Sequence, residues 1–347
     1  MKFLSGGQSN FFGLDLGTTS IRAVQLKGSG PLKTLYKYAQ APIEPTLTQS
    51  DAEVDKQKLA KAIHDLVASV GIETKRVAVN IPSGQVFSSV VEMDRMPEDE
   101  LAKTIQYQAG SFIPMPIDES KVDWAVIGDS PADPKKVEVL LSSVPNKYVE
   151  QRYAMLEAAG FRVVAFEPDS MALMRAIVPT DATNPQMVLD IGRLATDLII
   201  TMNGNPHLTR AIPAGTNAFI KAAAGALNID EAQASQFIYK FGLGKDKLDS
   251  QVYNAIMPSV ETLMVDVEKS IKYFQNRYPN SKIERIIVTG GASSIPELPL
   301  FIANRFGMNV EVGNAWRNVS YPPAKQNELL AVSNHFGVAV GLAERTK

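Results

Sequence analysis

Two stretches of this 347-residue chain carry one arrangement of residues able to grip a phosphate: Phe12-Gly13-Leu14-Asp15-Leu16-Gly17-Thr18-Thr19-Ser20 and Val188-Leu189-Asp190-Ile191-Gly192-Arg193-Leu194-Ala195-Thr196-Asp197. In each, an apolar run of strand character ends in Asp, one apolar residue and Gly. Hydroxyl-bearing residues follow before a second apolar run begins. The glycine lets backbone amides come close to a phosphate, whose oxygens the Thr and Ser hydroxyls can also meet. A carboxylate at the strand end can hold the hydrated cation that accompanies a nucleoside triphosphate. One Asp-x-Gly turn alone would be as readily an ordinary strand connection. Two copies opening the two halves of a chain instead imply two similar domains facing one ligand. A third stretch, Arg285-Ile286-Ile287-Val288-Thr289-Gly290-Gly291-Ala292-Ser293-Ser294, runs a buried-type strand into paired glycines, where a flat ring or a sugar can lie against bare backbone.

The elements that must position these residues alternate as in an α/β domain. After the first hairpin, a connector rich in Pro, Thr and charge (41–51) leads to a helix with apolar positions at Leu59, Ile63, Leu66, Val67 and Val70, stopped by Gly71. Val77, Val79 and Ile81 alternate as a strand, and 86–93 follows as another. The texture then changes. A helix starts at Met96-Pro97-Glu98-Asp99-Glu100-Leu101, with Leu101, Ile105 and Phe112 on one face, and Ile113-Pro114-Met115-Pro116 breaks it. Strands over 122–127 and 137–144, a helix over 147–159 and a strand over 161–166 complete a small inserted α/β module.

In the second half, 198–202 turns at Asn203-Gly204 and pairs with 207–212. Gly215-Thr216-Asn217 opens a helix with Thr216 as its expected N-cap. A longer helix follows the seam Ile256, Val260, Leu263, Val267, Ile271, Phe274, with Pro258 expected in its first turn or at a kink. Glu268, Lys269 and Lys272 lie off that seam, where a solvated charged face is the simplest reading.

The order of hairpin, hairpin and Gly-Gly turn resembles the actin-like nucleotide-binding superfamily. Within it, Met93-Asp94-Arg95-Met96-Pro97-Glu98-Asp99-Glu100-Leu101, Gln106-Tyr107-Gln108-Ala109 and Phe112-Ile113-Pro114-Met115-Pro116-Ile117-Asp118-Glu119 are similar to the PilM family of type IV pilus assembly proteins, of the FtsA-like branch. That resemblance implies a bilobal, duplicated RNase H-like fold carrying an inserted module of SHS2 type. Its lobes would divide as 1–93 (first lobe), 94–166 (module), 167–185 (return helix), 186–325 (second lobe) and 326–347 (C-terminal return helix). It implies Mg-ATP as ligand. Asp15, Gly17, Thr18, Thr19, Ser20 and Arg22 would form the first phosphate loop, with Arg22 where many relatives carry Lys. Asp190, Gly192, Arg193 and Thr196 would form the second, and Asp15 and Asp190 would hold Mg through water. Gly215 and Thr216 would approach the terminal phosphate, Gly290, Gly291 and Ser293 would receive the base, and Glu268, Lys269 and Lys272 would reach the ribose and adenine. The implied partners are the cytoplasmic N-terminal segment of the membrane protein PilN, in a groove between first lobe and module, and pilus motor ATPases or the platform protein. Nucleotide occupancy would set lobe closure and the affinity of that groove.

Hydrolysis in such a fold needs a polar residue that orients a water behind the γ-phosphate. Glu167, in Phe166-Glu167-Pro168-Asp169-Ser170, sits at the crossover between halves where relatives carry one. The competing reading is that Glu167 and Asp169 only begin the following helix. Bulky Arg193-Leu194 stands where hydrolytic relatives have small glycines, which favours retention of ATP over turnover, with hydrolysis slow or absent. The rival functions are a small-molecule kinase of the same superfamily, needing a carboxylate base aimed at an acceptor hydroxyl, and an FtsA-like filament protein.

Composition narrows the classes. Hydrophobic residues make up 45% of the chain, enough for two cores. Thirty-five basic and 37 acidic residues leave a formal charge of −2, which gives no case for nucleic acid or an anionic membrane. Cysteine is absent, which excludes disulfides, thiolate metal sites and a cysteine nucleophile. The first ten residues, Met1 to Asn10, are too polar for a signal peptide, and no run of about 18 apolar residues occurs. A cytoplasmic protein is expected, peripheral at the inner membrane through its partners because Gly341 to Lys347 does not read as an amphipathic anchor. His64, His207 and His335 are isolated and read as structural.

Overall fold

The computed structural model describes residues 11–28, 30 and 32–346, so the stretch Met1 to Asn10 and the last residue, Lys347, lie outside the described residues. In chain order the first part runs β1 (Phe12–Leu16), β2 (Ser20–Lys27), β3 (Lys33–Pro42), α1 (Glu53–Ser69) and β4 (Arg76–Ile81). There follow β5 (Phe87–Asp94), α2 (Glu98–Phe112), β6 (Ser120–Asp129) and β7 (Lys136–Pro145), then α3 (Asn146–Ala158), β8 (Arg162–Pro168) and α4 (Asp169–Ile177). The second half gives β9 (Gln186–Ile191), β10 (Thr196–Met202), β11 (Asn205–Ile212), α5 (Thr216–Leu227), α6 (Glu231–Phe241) and α7 (Gln251–Arg277). It ends with β12 (Arg285–Thr289), α8 (Leu298–Phe306), β13 (Asn309–Val312), β14 (Val319–Ser320), α9 (Gln326–Val332) and α10 (Gly337–Glu344).

These elements form two units. The first takes the chain up to Pro82, then Val149–Pro179 and everything from Gly313; the second takes Ser83–Tyr148 and Thr180–Val312. The first contains one sheet in the order β14-β3-β2-β1-β4-β8, and the second contains β11-β10-β9-β12-β13. Leaving out β14 and counting each sheet's own strands in chain order, both orders are third, second, first, fourth, fifth. In both, the first three strands are antiparallel and the last two run parallel to the first. The repeat seen in the two Asp-x-Gly motifs is therefore a repeat of the whole sheet. β1 and β9 are central strands in each, which is why the residues just before the Asp, Phe12 to Leu14 and Met187 to Leu189, are buried and carry no polar side chain.

In the first unit, α1 buries Leu59, Ile63, Leu66 and Val67 against the sheet beside Met155 and Leu156 of α3. In the second, the expected seam of α7 is buried from Ile256 to Phe274 among the residues of α5, β9, β10 and β12. Pro258 does not sit in the first turn of that helix. It lies inside a continuous α7, and its carbonyl accepts the Thr262 hydroxyl at 2.9 Å. Thr216 is likewise not the N-cap of α5: Gly215 takes that position, in extended conformation, and Thr216 is the buried first residue of the helix.

The module also differs from the expected span of 94–166. Its three-stranded sheet has the order β5-β7-β6, with β5 in register from Phe87↔Ser143 to Asp94↔Lys136, so the strand before Asp94 is part of it. α2 covers one face through Leu101, Ile105 and Ala109. By contrast, α3 packs on the first unit's core and β8 pairs with β4, so neither belongs to the module. The second lobe ends at Val312 rather than 325, because Val319 and Ser320 pair with Lys33 and Thr34 of β3.

Although spliced into the chain between β4 and α3, the module is joined to the core of the second unit. Glu138 of β7, 1% exposed, accepts hydrogen bonds from Arg277 (Nη2, 2.8 Å; Nε, 3.1 Å) and from the Tyr278 hydroxyl (2.7 Å). His207 of β11 places Nδ1 3.2 Å from the other Glu138 oxygen. Three partners around one buried carboxylate hold it ionised, below the ordinary carboxylate value despite its burial. The same network pushes the Tyr278 hydroxyl up, by burial first and the adjacent carboxylate second. His207 is thus a hydrogen-bonded structural histidine, as expected.

Candidate functional site

In the first hairpin the three residues Gly17, Thr18 and Thr19 make a tight connection between β1 and β2, and cross-strand register places Asp15 opposite Arg22. Arg22 Nη1 donates to Asp15 Oδ2 at 2.9 Å. Burial pushes the Asp15 carboxyl up, and the charge and hydrogen bond of Arg22 pull it back. A Cβ on Gly17 would stand 2.8 Å from the Ser20 carbonyl oxygen, so only glycine closes the loop this tightly. Gly17, Thr18, Thr19 and Ser20 are half-buried, and among the described residues no protein group bonds the three hydroxyls. A row of uncommitted hydroxyls beside a glycine suits a phosphate.

Asn80 at the end of β4 was not singled out in the sequence. Its Oδ1 accepts the Leu16 amide at 2.7 Å, while its Nδ2 donates to Asp169 Oδ1 at 2.8 Å. Thus one buried amide side chain ties the start of the loop to the start of α4. A polar residue ending the apolar run Val77-Ala78-Val79 was the only available signal. His335 lies beside Arg22, and burial together with that charge lowers its pKa to about 4.

The second hairpin has the same register but different chemistry. Asp190 stands opposite Asp197, and the loop closes by a Gly192 amide bond to the Ala195 carbonyl at 3.0 Å. Burial raises the Asp197 carboxyl to about 6, with the Ser83 hydroxyl acting weakly in the opposite sense. The expected phosphate contacts Thr196 and Thr216 have other duties here. Thr196 is fully buried and donates its hydroxyl to the Ala214 carbonyl at 2.7 Å. The Thr216 and Asn217 amides donate to the Gly192 and Arg193 carbonyls, each at 2.9 Å. A Cβ on Gly215 would stand 2.5 Å from the Gly192 oxygen, so this glycine lets α5 brace the loop from behind. Arg193 turns toward α6, where its guanidinium is 4.0 Å from Glu231.

At the end of β12, Thr289 is level with Asp190, and Gly290 follows with φ +77° and ψ −179°, a conformation essentially reserved for glycine. A Cβ there would also stand 2.2 Å from Asp190 Oδ1. The structure therefore brings Asp190 and the Gly290-Gly291 turn together. Ser293 closes the turn, its hydroxyl donating to the Gly290 carbonyl at 2.7 Å.

The α7 candidates are committed to surface ion pairs. Glu268 meets Lys272 at 2.8 Å and Arg305 at 2.9 Å, and Lys269 meets Asp266 at 3.0 Å. Glu167 is 5% exposed and belongs to β8, not to the following helix, which begins at Asp169. Both its oxygens bond the guanidinium of Arg175, one at 3.0 Å, and Arg345 approaches to 3.4 Å. Two cations on one buried carboxylate give it a structural duty. Among the described residues, no group of three or more His, Asp or Glu is placed to hold a bare metal ion. The residues present would suit a hydrated ion held through water by Asp190, whose register partner on β10 is Asp197.

A family model described as type IV pilus assembly protein PilM matches residues 13–347. The chain belongs to the PilM family. Among solved structures, the PilM–PilN type IV pilus biogenesis complex aligns with a TM-score of 0.82 at 23% identity, covering 96% of this chain and 97% of that one. The ethanolamine utilization protein EutJ of Carboxydothermus hydrogenoformans aligns at 0.59, with 16% identity over 96% and 88% of the two chains. MreB5 of Spiroplasma citri bound to ADP aligns at 0.57, with 13% identity over 95% and 94%. The fold is thus actin-like, in agreement with its duplicated strand order, and this PilM-family chain is an actin-like protein of type IV pilus assembly. No helix among its described residues is long and apolar enough to cross a membrane.

Proposed function

We propose that this PilM-family protein is a cytoplasmic ATP-binding scaffold that receives the N-terminal segment of PilN and retains its nucleotide with slow or no hydrolysis. The observation that carries the nucleotide reading is the uncommitted hydroxyl row of Thr18, Thr19 and Ser20 beside Gly17, set on a strand whose Asp15 repeats as Asp190. Asp190, backed by Asp197, holds the hydrated Mg; Arg22 exchanges its bond to Asp15 for one to a phosphate. The Gly290-Gly291 turn receives the base. The commitment of Glu167 to two arginines supports retention over turnover. The partner reading is supported by family membership and by the likeness to a chain solved in complex with PilN.

The test is to incubate the protein with a near-equal amount of Mg-ATP, denature samples over an hour and quantify ATP and ADP. A parallel melting curve should show stabilisation of roughly 2.7 kcal/mol at about 100 times the dissociation constant. Bound, intact ATP together with saturable binding of a PilN segment is the expected result. No stabilisation by nucleotide would remove the ligand, and no saturation by the segment would remove the partner.

A further inference from the structure

The even overall charge of the chain conceals a local asymmetry at one end of the first unit's sheet. Lys27 closes β2, Lys37 stands at the irregular register of β3, and Lys75 and Arg76 open β4. Arg162 opens β8. Because β2 runs antiparallel to β1 while β4 and β8 run parallel to it, all of these positions fall at the same end of the sheet. Arg76 and Arg162 are direct register partners, two like charges side by side, an arrangement that costs stability unless an anion is near. Among the described residues, none of the five cations pairs with a carboxylate, whereas the ion pairs elsewhere on this chain engage Lys56, Lys58, Lys61, Lys269 and Lys272. Glu73 precedes β4 and Glu157 lies in the last turn of α3, and at the start of β3 the buried Lys33 donates to the backbone carbonyl of Glu344 at 2.9 Å, which brings a third carboxylate to this end.

Apolar side chains project among these cations. Leu32, at the turn between β2 and β3, is 62% exposed, and Tyr36 is 46% exposed. The Lys27 ammonium lies 3.2 Å from the centre of the Tyr36 ring and that of Lys37 lies 5.4 Å from it. An exposed leucine and an exposed aromatic ring at the same sheet end as cations that pair with no carboxylate combine the two features that hold a peripheral protein on a charged bilayer: apolar burial at the headgroup level and attraction to anionic lipid. A nucleic acid or an acidic peptide would use the cations and leave Leu32 without a role.

We propose that this end of the first unit docks directly on an anionic phospholipid bilayer, Lys27, Lys37, Lys75, Arg76 and Arg162 meeting headgroups while Leu32 and Tyr36 enter the interface. The proposal is independent of the nucleotide reading. It is tested by sedimenting the full chain with vesicles of phosphatidylcholine alone and with phosphatidylglycerol added. Binding is expected only to the anionic vesicles, and it should be lost at about 0.5 M salt, where the screening length falls to a few ångströms. With each cation near the surface worth about fivefold, R76E/R162E should weaken binding more than tenfold. Lys282→Glu, an exposed lysine of the second unit, should leave it unchanged, and Leu32→Ser should weaken it several-fold at constant charge. If R76E/R162E does not fold by circular dichroism, K37E/K75E makes the same test. Equal binding to both vesicle types, or no loss in the folded charge-reversal variant, overturns the proposal. So does capture of soluble polyglutamate as tightly as vesicles with no effect of Leu32→Ser, which would assign the patch to an acidic protein.

Discussion

Arg22 stands directly across the first hairpin from Asp15, 2.9 Å from its carboxylate, whereas at the matching position of the second hairpin Asp190 faces Asp197. The two copies of one motif have therefore been given opposite charge environments. The first pairs its carboxylate with a cation, and the second sets a second carboxyl-bearing residue, Asp197, opposite its Asp. On the proposed nucleotide reading, this asymmetry would give phosphate contact to the first hairpin and most of the metal contact to the second.

Asp190→Asn should accordingly weaken Mg-ATP binding more than tenfold and weaken ATP binding in chelator much less. Asp15→Ala should act differently, because it leaves the guanidinium of Arg22 unpaired in a largely buried place. A stability loss of about 3 kcal/mol is expected, and Asp15→Ala/Arg22→Met should recover most of it. Isothermal titration with and without Mg, and urea unfolding of the three variants, check both statements.

Asp197 predicts a pH dependence with a definite sign. Its carboxyl rises from an ordinary 3.8 to about 6 on folding, so the folded state holds the proton more tightly than the unfolded one. Its contribution to stability is full below about pH 4 and fades as pH rises to about 6. Asp197→Asn carries no such charge. The variant should match the wild type near pH 4 and exceed it above pH 6, read from urea midpoints across that range; identical pH profiles would contradict the burial of this group.

Gly290→Ala should cost roughly 1–3 kcal/mol from backbone strain alone. The collision with Asp190 adds to this and should disturb nucleotide binding as well. Thermal unfolding and an ATP titration of the variant are the measurements. Gly160→Ala is a useful contrast, since it shares a positive φ but would meet nothing within 4 Å.

Glu138→Ala should destabilise the protein by about 3–5 kcal/mol, because Arg277, His207 and Tyr278 would lose their shared buried carboxylate. Hydrogen exchange should quicken in β5, β6 and β7 in particular, since this network joins the module to the second unit's core. Uniform exchange across the variant would show that the module is held by other contacts.

Glu167→Gln separates a structural from a chemical duty. Loss of charge between Arg175 and Arg345 should lower the melting temperature by several degrees, a shift that corresponds to about 1–2 kcal/mol in a chain of this size. ATP turnover measured in a single-turnover experiment should remain at the wild-type level. A fall in turnover without a fall in stability would instead return Glu167 to a water-orienting role.

Local patterns left much of the fold legible. The Asn203-Gly204 turn sits between β10 and β11 with both residues at positive φ, as that dipeptide requires. The α7 seam and the strand-Asp-x-Gly repeats were equally clear, since each is written at a fixed period within a few residues. The errors came where distant partners decide. Thr216 has the chemistry of an N-cap, but α5 must approach the second hairpin so closely that glycine takes the cap position. Pro258 is tolerated inside α7 because burial of a seam from Val252 to Phe274 outweighs one missing hydrogen bond. The module's limits are not legible locally, because β5 and α3 read alike as parts of an α/β alternation, and only pairing with β7 or packing on β1 distinguishes them.

What the sequence determined by itself is the duplicated architecture and the residues of its two hairpins, because strand period, turn glycine and terminal carboxylate are local properties of the chain. The tertiary structure alone decided which of those residues remain uncommitted. Thr18 and Thr19 keep their hydroxyls, while Thr196 spends its hydroxyl on the Ala214 carbonyl and Glu167 is held by Arg175. It also gathered Lys27, Lys37, Lys75, Arg76 and Arg162 from four strands onto one sheet end, a concentration of charge that a net of −2 cannot reveal. Hydrogen-bond commitment and surface charge density depend on neighbours distant in sequence, and only folding brings those neighbours together.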